Sequence, residues 1–330
     1  MLAFAIRRLM QAVGVIVVVA LISFTLFRFV GDPINQLVGQ DTTPEQRAEL
    51  RQQLGLDDSV VVQGARFIAN AAHFNFGISY QFKRPVSDII AERLPATLEL
   101  SVLSAIFALV VGVPMGVYTG LYPASWLSRA FLAISLLGVS LPTFLIGILL
   151  IFIFSVDLGW LPSFGRGDVV TVWGDWTTGL LTRSGLRSLI LPTITLGLFQ
   201  MTLIMRLVRG EMLEVLRTDY IKFARARGLT RRAVNFGHAL KNTLVPVITI
   251  TGVQVGSIIA FAVITETVFQ WPGMGLMFIQ AVSYADIPVM SAYLVLVALF
   301  FVIISLVVDL LYYLVDPRLR LQRGGGGHGR

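Results

Sequence analysis

The chain of 330 residues has no cysteine, three histidines and only 14% charged residues. Without cysteine there are no disulfides, no thiolate metal sites and no cysteine nucleophile, although the compartment stays open. The scarcity of charge excludes an ordinary soluble protein. With 55% hydrophobic residues and a mean hydropathy of +0.78, the polar surface is too small for a water-soluble globule of this length. No G-x-x-x-x-G-K-[ST] loop is present, and the glycine run before His328 lacks the Lys and Ser/Thr that a phosphate cradle requires. His73, His238 and His328 share no ligand spacing, and no His/Ser/Asp grouping points to a hydrolase. Neither a catalytic centre nor a cofactor is expected in the chain itself.

What is present in quantity is apolar sequence. A hydrocarbon core about 30 Å thick takes roughly 20 apolar residues per helical crossing. Six stretches qualify or nearly so, at about 9–30, 98–121, 130–156, 188–208, 244–266 and 289–315. The expected class is an all-α polytopic membrane protein with six transmembrane helices. Cytoplasmic loops retain Lys and Arg. With the N-terminus inside, the internal segments hold sixteen of the twenty-six basic residues, nine of them between Arg206 and Lys241. Both termini are therefore expected in the cytoplasm. The net charge of +7 follows largely from this topology, with an anionic inner leaflet as its neighbour and no nucleic acid required. Arg7 and Arg8 before the first apolar run mark a retained signal anchor, since the run is long and lacks a small-x-small cleavage site.

The chain divides into an anchor helix with an external segment (1–97), a five-helix core carrying a cytoplasmic loop at about 206–241 (98–317), and a disordered tail (318–330). In the external segment, Thr43-Pro44-Glu45-Gln46 reads as a capping box opening a short amphipathic helix. Leu50 and Leu54 are expected inward and Gly55 at its end, with a less regular stretch from Phe74 to Pro85.

In the basic loop, Asp219 is the expected N-cap of a helix from Tyr220 to Arg227, and Gly228 its left-handed stop. Tyr220, Phe223 and Ala224 fall on one face, and Thr230 can cap a second segment with Ala233, Phe236, Gly237 and Leu240 on its own face. Such a pair could enter a groove on a soluble partner, or lie on the bilayer surface. At membrane depth, Glu99, Gln200, Gln254, Ser257 and Glu266 are candidates to line a pathway. The alternatives are helix capping or an external Arg partner for Glu99 and Glu266, and hydrogen bonds to a neighbouring helix for Gln254 and Ser257. Gly112, Gly116 and Gly120 repeat at four-residue spacing and invite close helix packing. Pro114 and Pro142 are expected to kink their spans, whereas Pro192 and Pro246 lie near the starts of theirs.

The order Asp219-Tyr220-Ile221-Lys222-x-Ala224-Arg225-Ala226-Arg227-Gly228-Leu229, then His238-Ala239-Leu240-Lys241-Asn242 and Pro246, resembles the cytoplasmic loop of ATP-binding-cassette importer permeases. The version is that of the dipeptide, oligopeptide and nickel branch. Further blocks recur in that branch: Phe76-Gly77-Ile78-Ser79, Leu94 to Leu100, Leu191-Pro192, Thr265 to Phe269, Pro272 to Gly275 and Asp316-Pro317-Arg318. The Glu-Ala-Ala-x-x-x-Gly pattern of importer permeases in general is reduced here to Ala224 and Gly228, a departure usual in the peptide branch. The resemblance implies a type I importer permease fold in a bacterial inner membrane. It implies coupling through Asp219, Tyr220, Phe223, Ala224, Gly228, Leu229 and His238 to two ATPase subunits that hold ATP and Mg. It also implies a second, different permease subunit, an extracytoplasmic substrate-binding protein and short peptides as cargo. Nickel, glutathione or a glycan would suit the same machinery. A stand-alone ion-gradient transporter is the reading from another class.

Overall fold

The computed structural model describes residues 2–28, 34, 43–53 and 56–315. Helix α1 (Leu2–Arg28) is followed by two short helices, α2 (Pro44–Gln53) and α3 (Val60–Ala72). The capping box forms as the sequence predicts: Gln46 N–H donates to Thr43 Oγ1 at 3.4 Å, and Thr43 N–H to Gln46 Oε1 at 3.2 Å. The side chain of Leu50, together with Leu54, Gly55 and the tail beyond Val315, lies outside the described residues. Helix α3 is not anticipated from sequence. Its Gly64 admits Phe24 and Leu21 of α1 to ordinary contact.

The second span is longer than its apolar stretch. Helix α4 (Val86–Leu121) starts behind Pro85, whose φ of −54° and ψ of 135° suit a helix entry, so the expected boundary at 97 falls inside a helix. The third stretch is broken. Helices α5 (Trp126–Ser140) and α6 (Thr143–Ile151) meet at Leu141-Pro142, and α6 runs into a π-helix, π1 (Phe152–Asp157). The bend is 111°, far beyond a kink, because Pro142 can continue no backbone ladder. Pro114, by contrast, sits inside the continuous α4.

A small antiparallel hairpin, β1 (Val170–Trp173) and β2 (Trp176–Thr178), precedes helix α7 (Arg183–Val215), and with an isolated bridge between Ile78 and Pro85 it makes up the β-structure among the described residues. Thr182 caps α7 through Gly185 N–H at 3.0 Å, five residues ahead of the apolar stretch, which places Pro192 inside the helix instead of at its start. Helix α8 (Asp219–Ala226) and a second π-helix, π2 (Ala233–Ala239), lead into α9 (Leu240–Val268). Helices α10 (Met274–Ser283) and α11 (Ile287–Val315) complete the described chain.

Among the described residues four helices are long and apolar enough to cross a membrane, or five if the broken pair counts as one span. The stretch expected at 244–266 lies on the 29-residue helix α9, whose described residues include the apolar run Gly256–Val268. The central seam joins α4 and α7 in parallel. A Cβ at Gly112 would stand 2.8 Å from the Met201 carbonyl oxygen, at Gly116 2.7 Å from that of Met205, and at Gly120 2.7 Å from Met212 Cβ. Only glycine permits that approach, so the repeat is a packing device. Parallel neighbours require the chain to return between them, which is the pass that α5, α6 and π1 supply.

Candidate functional site

Helix α8 begins one residue earlier than expected. After α7 the amides of Arg217 and Thr218 bond back to Glu214 and Val215, leaving Thr218 extended at φ −65° and ψ 150°. The Thr218 carbonyl takes the first bonds of the helix, from Ile221 at 3.1 Å and Lys222 at 3.2 Å, so Thr218 is the N-cap and Asp219 the first helical residue. Asp219 still favours the positive helix end, and it meets Lys222 Nζ at 2.8 Å. The stop is where glycine requires it. Gly228 has φ +79°, Gly228 N–H bonds to Arg225 O at 3.0 Å, and Leu229 N–H bonds to Ala224 O at 3.4 Å. These two bonds form a Schellman ending. Thr230 Oγ1 accepts from Ala233 N–H at 3.3 Å, as predicted.

The faces differ from the expected ones. Ile221 and Ala224 are buried against a cluster containing Met212, Val234 and Ala239, while Tyr220, Phe223 and Leu229 remain exposed. Phe223 is 64% exposed, with the Arg227 guanidinium 5.9 Å from its ring centre. Thus Ala224 parts from Tyr220 and Phe223, because Ile221 and Ala224 complete the inward stripe. In the second segment the π-helical winding turns Val234 and Ala239 inward and leaves Phe236 exposed, replacing the predicted face. Tyr220 and His238 join the two segments: the hydroxyl lies 2.5 Å from His238 Nδ1, with the rings edge to face.

At the opposite end of the spans, Glu99 is held by a buried cation. Arg166 Nε donates to its Oε2 at 2.9 Å, and Thr178 Oγ1 and the amides of Gly179 and Leu180 donate to Oε1 at 2.9–3.1 Å. The external Arg partner is thus present, and both carboxylate oxygens are engaged. Glu266 is fully buried, accepting from Thr97 Oγ1 at 2.6 Å and from Leu276 N–H at 2.9 Å. Gln200 Nε2 reaches the Gln254 carbonyl at 3.5 Å, a contact between neighbouring helices. Gln254 and Ser257 are partly buried on α9. The five expected pathway residues therefore do not gather in one place: the two acids lie at the ends of the spans away from α8, and the amides in the middle.

Sequence reasoning missed Thr97, Arg166, Trp271 and Asp286. Trp271 is buried and donates its indole N–H to Ala96 O at 3.0 Å, and Met274 N–H donates to Thr97 Oγ1 at 2.7 Å. The blocks Leu94 to Leu100 and Pro272 to Gly275 thus meet in space, although nearly 180 residues separate them. Asp286, also buried, accepts from Ser79 Oγ at 2.5 Å and from the amides of Tyr80 and Gln81 at 3.1 Å, tying the segment before α4 to the α10–α11 turn. A lone Asp beside Ile-Pro carries no sequence signal for that role. Among the described residues no three His, Asp or Glu side chains group as a metal site.

Two family profiles cover the chain. One, described as the binding-protein-dependent transport system inner membrane component, matches residues 112–321, and its N-terminal counterpart matches 1–101. A dipeptide transport system permease protein of Alkalihalophilus pseudofirmus is 36% identical over 332 residues, covering 97% of this chain and 100% of the relative. A di/tripeptide transport system permease protein of Pseudomonas aeruginosa is 40% identical over 338 residues, covering 98% and 100%. The dipeptide permease protein DppB of Escherichia coli is 37% identical over 342 residues with the same coverage, 98% and 100%. Among solved structures, the MetNI methionine ABC transporter in inward-facing conformations matches with a TM-score of 0.55 at 20% identity, covering 69% of this chain and 96% of the other. That likeness bears on the fold.

Proposed function

The chain belongs to the family of inner membrane components of binding-protein-dependent transport systems, and from that premise we propose that it forms half of a pathway for short peptides, worked by ATPase subunits docked on α8. It is a multi-pass permease subunit of an ABC importer in a bacterial inner membrane, a transport component and not itself an ATPase. Peptide cargo is supported by the relatives, whose names are those of dipeptide and di/tripeptide permeases.

The coupling reading rests on one observation. Tyr220 and Phe223 on α8, and Leu229 just past its end, face outward, while Ile221 and Ala224 on its other side pack into a cluster with Met212 of α7 and Val234 and Ala239 of π2, which leads into α9. Exposed aromatics on a basic loop fit a partner better than water. A pair of ATPases drawn together by ATP would carry α8 with them, and the two helices behind it would follow. Asp219 and His238 hold the lever in shape, the first at the helix start and the second through Tyr220. ATP and Mg belong to the ATPase subunits. A second permease chain would complete the pathway, a binding protein would deliver peptide outside, and both termini would lie in the cytoplasm, where the basic residues concentrate.

Gly228→Asp is the test. Nothing lies within 4 Å of an added Cβ there, so the cost is the left-handed backbone at φ +79°, about 1–2 kcal/mol for a side chain. The variant should stay in the membrane, lose the co-purifying ATPases in a mild-detergent pull-down, and stop transport. Normal uptake by Gly228→Asp sinks the coupling proposal. Recovery of the wild-type chain alone, in several detergents, favours a stand-alone transporter.

A further inference from the structure

Helices α9 and α11 run antiparallel and touch where α9 carries glycine: a Cβ at Gly256 would lie 2.9 Å from the Phe301 ring and one at Gly252 2.2 Å from Val308. Between Gly252 and the start of α9, a cleft opens with α4 as its back wall. It is lined by Leu109 and Val113, by Leu244, Val247 and Ile248, and by Ile303 and Val307 among others, and its volume is about 370 Å³. Among the described residues Thr251 supplies the one polar side chain in the lining, at the deep end.

We propose that this cleft is a binding site for one acyl chain of an anionic phospholipid, with the headgroup phosphate on Lys241. Three features of the cleft select that occupant. Two walls, α4 and α11, belong to helices long and apolar enough to cross a membrane, and the third, α9, carries the apolar stretch expected at 244–266, so the surrounding solvent is hydrocarbon. The size fits a single chain. A water or a methylene group takes roughly 30 Å³, so the cleft holds about a dozen methylenes, whereas a helix with side chains is about 10 Å across and does not fit. From Leu244 to Gly252 the cleft runs about 12 Å at the helical rise of 1.5 Å per residue, close to the depth of one leaflet of a 30 Å core. The third feature is charge. Lys241 is exposed, three residues before Leu244, the first lining residue of α9 and the one nearest the basic loop. A cation there attracts an anionic headgroup. Assignment to the inner leaflet rests on the orientation proposed above, but the site itself does not.

The experiment uses the whole assembly in nanodiscs made from equal parts phosphatidylglycerol and phosphatidylethanolamine. Lipid retained after extraction is identified by native mass spectrometry. The wild type should retain phosphatidylglycerol about fivefold over phosphatidylethanolamine, the ratio expected of one basic side chain at a headgroup. Lys241→Gln should bring that ratio near one with the amount of lipid unchanged. Ile248→Trp, which fills the cleft, should lower retention of both lipids, and Val113→Phe serves the same purpose should the first variant fail to assemble. Leu136→Trp, on the exposed face of α5, should change neither. No enrichment in the wild type overturns the proposal, as does an equal loss in Leu136→Trp. So does a photo-crosslinker at position 248 that captures the second permease chain instead of lipid. Loss of the ATPases from the assembly would be read separately, by the Gly228→Asp pull-down, and leaves the lipid result standing.

Discussion

Replacing Gly116 by alanine tests whether the α4–α7 seam is as tight as its geometry requires. The new Cβ would lie 2.6 Å from Val208 Cβ and 2.7 Å from the Met205 carbonyl oxygen, about 0.8 Å and 0.7 Å inside ordinary contact at 3.4 Å. Neither neighbour can yield by changing rotamer, since one is a branch-point carbon and the other is main chain. The helices must part, and contacts at Gly112 and Gly120 weaken with them. Overpacking of this kind costs about 1–3 kcal/mol. Alanine also gains roughly 1 kcal/mol of helix propensity over glycine. That gain recurs at Gly210, inside the same α7, where an added Cβ meets nothing within 4 Å. The difference between Gly116→Ala and Gly210→Ala therefore isolates the packing cost, and Gly210→Ala alone should be neutral or stabilising. Unfolding of the detergent-solubilised chain in graded dodecyl sulfate, followed by tryptophan fluorescence, measures both variants. A difference below about 0.5 kcal/mol, the scatter of substitutions that touch nothing special, would refute the close seam.

Arg166→Ala removes the cation from a pair in which both side chains are about 5% exposed, and stranding such a carboxylate costs about 3–5 kcal/mol. The hairpin around Trp173 should then become a preferred site of limited proteolysis, and an unchanged digestion pattern would count against the clamp. Tyr220→Phe deletes the link to His238 and should lower peptide taken up per ATP hydrolysed by up to tenfold, since one hydrogen bond contributes about 0.5–1.5 kcal/mol. His238→Ala should match it. An unchanged ratio in reconstituted vesicles would assign both residues to folding alone.

The membrane class and most helices were legible because hydropathy and capping are local signals. Thr43-Pro44-Glu45-Gln46 and Gly228 behave as their residue types require, whatever surrounds them. The misreadings share a different origin. The aromatics alone suggest one face of α8, yet burial is decided by what α7 and π2 present, and there Ile221 fits while Phe223 does not. The start of α7 moved outward because Thr182 caps it in polar sequence that hydropathy ignores. The π-winding of Ala233–Ala239 has no composition signal and shifts every face after it. Arg166 and Asp286 were invisible for the plainest reason: each is an ordinary external residue until residues 67 and about 206 positions away turn out to be its partners.

Stiffness is unevenly distributed, and this yields a prediction about where motion occurs. Helix α4 is fixed to α7 by glycine contacts along its C-terminal half and to the turn between α9 and α10 by Trp271, Thr97 and Glu266. The junction of α7 with α9 is looser at mid-depth, where the Gln200 amide reaches Gln254 at 3.5 Å and neither Gln200 Oε1 nor Thr251 Oγ1 has a hydrogen-bond partner within the described chain. Buried groups left so poorly paired add little to hold one arrangement against another. Motion imposed on α8 should therefore shift α9 against α7 while α4 and α7 move as one body. Because the chain has no cysteine, introduced cysteines take spin labels without background. Exposed positions serve: Val110 on α4, Ile190 on α7 and Phe261 on α9. In the full assembly, trapping ATP should shift the distance between labels at 190 and 261 by several ångströms and leave that between 110 and 190 unchanged. The opposite pattern would mean that the glycine seam, not the amide junction, is the moving joint.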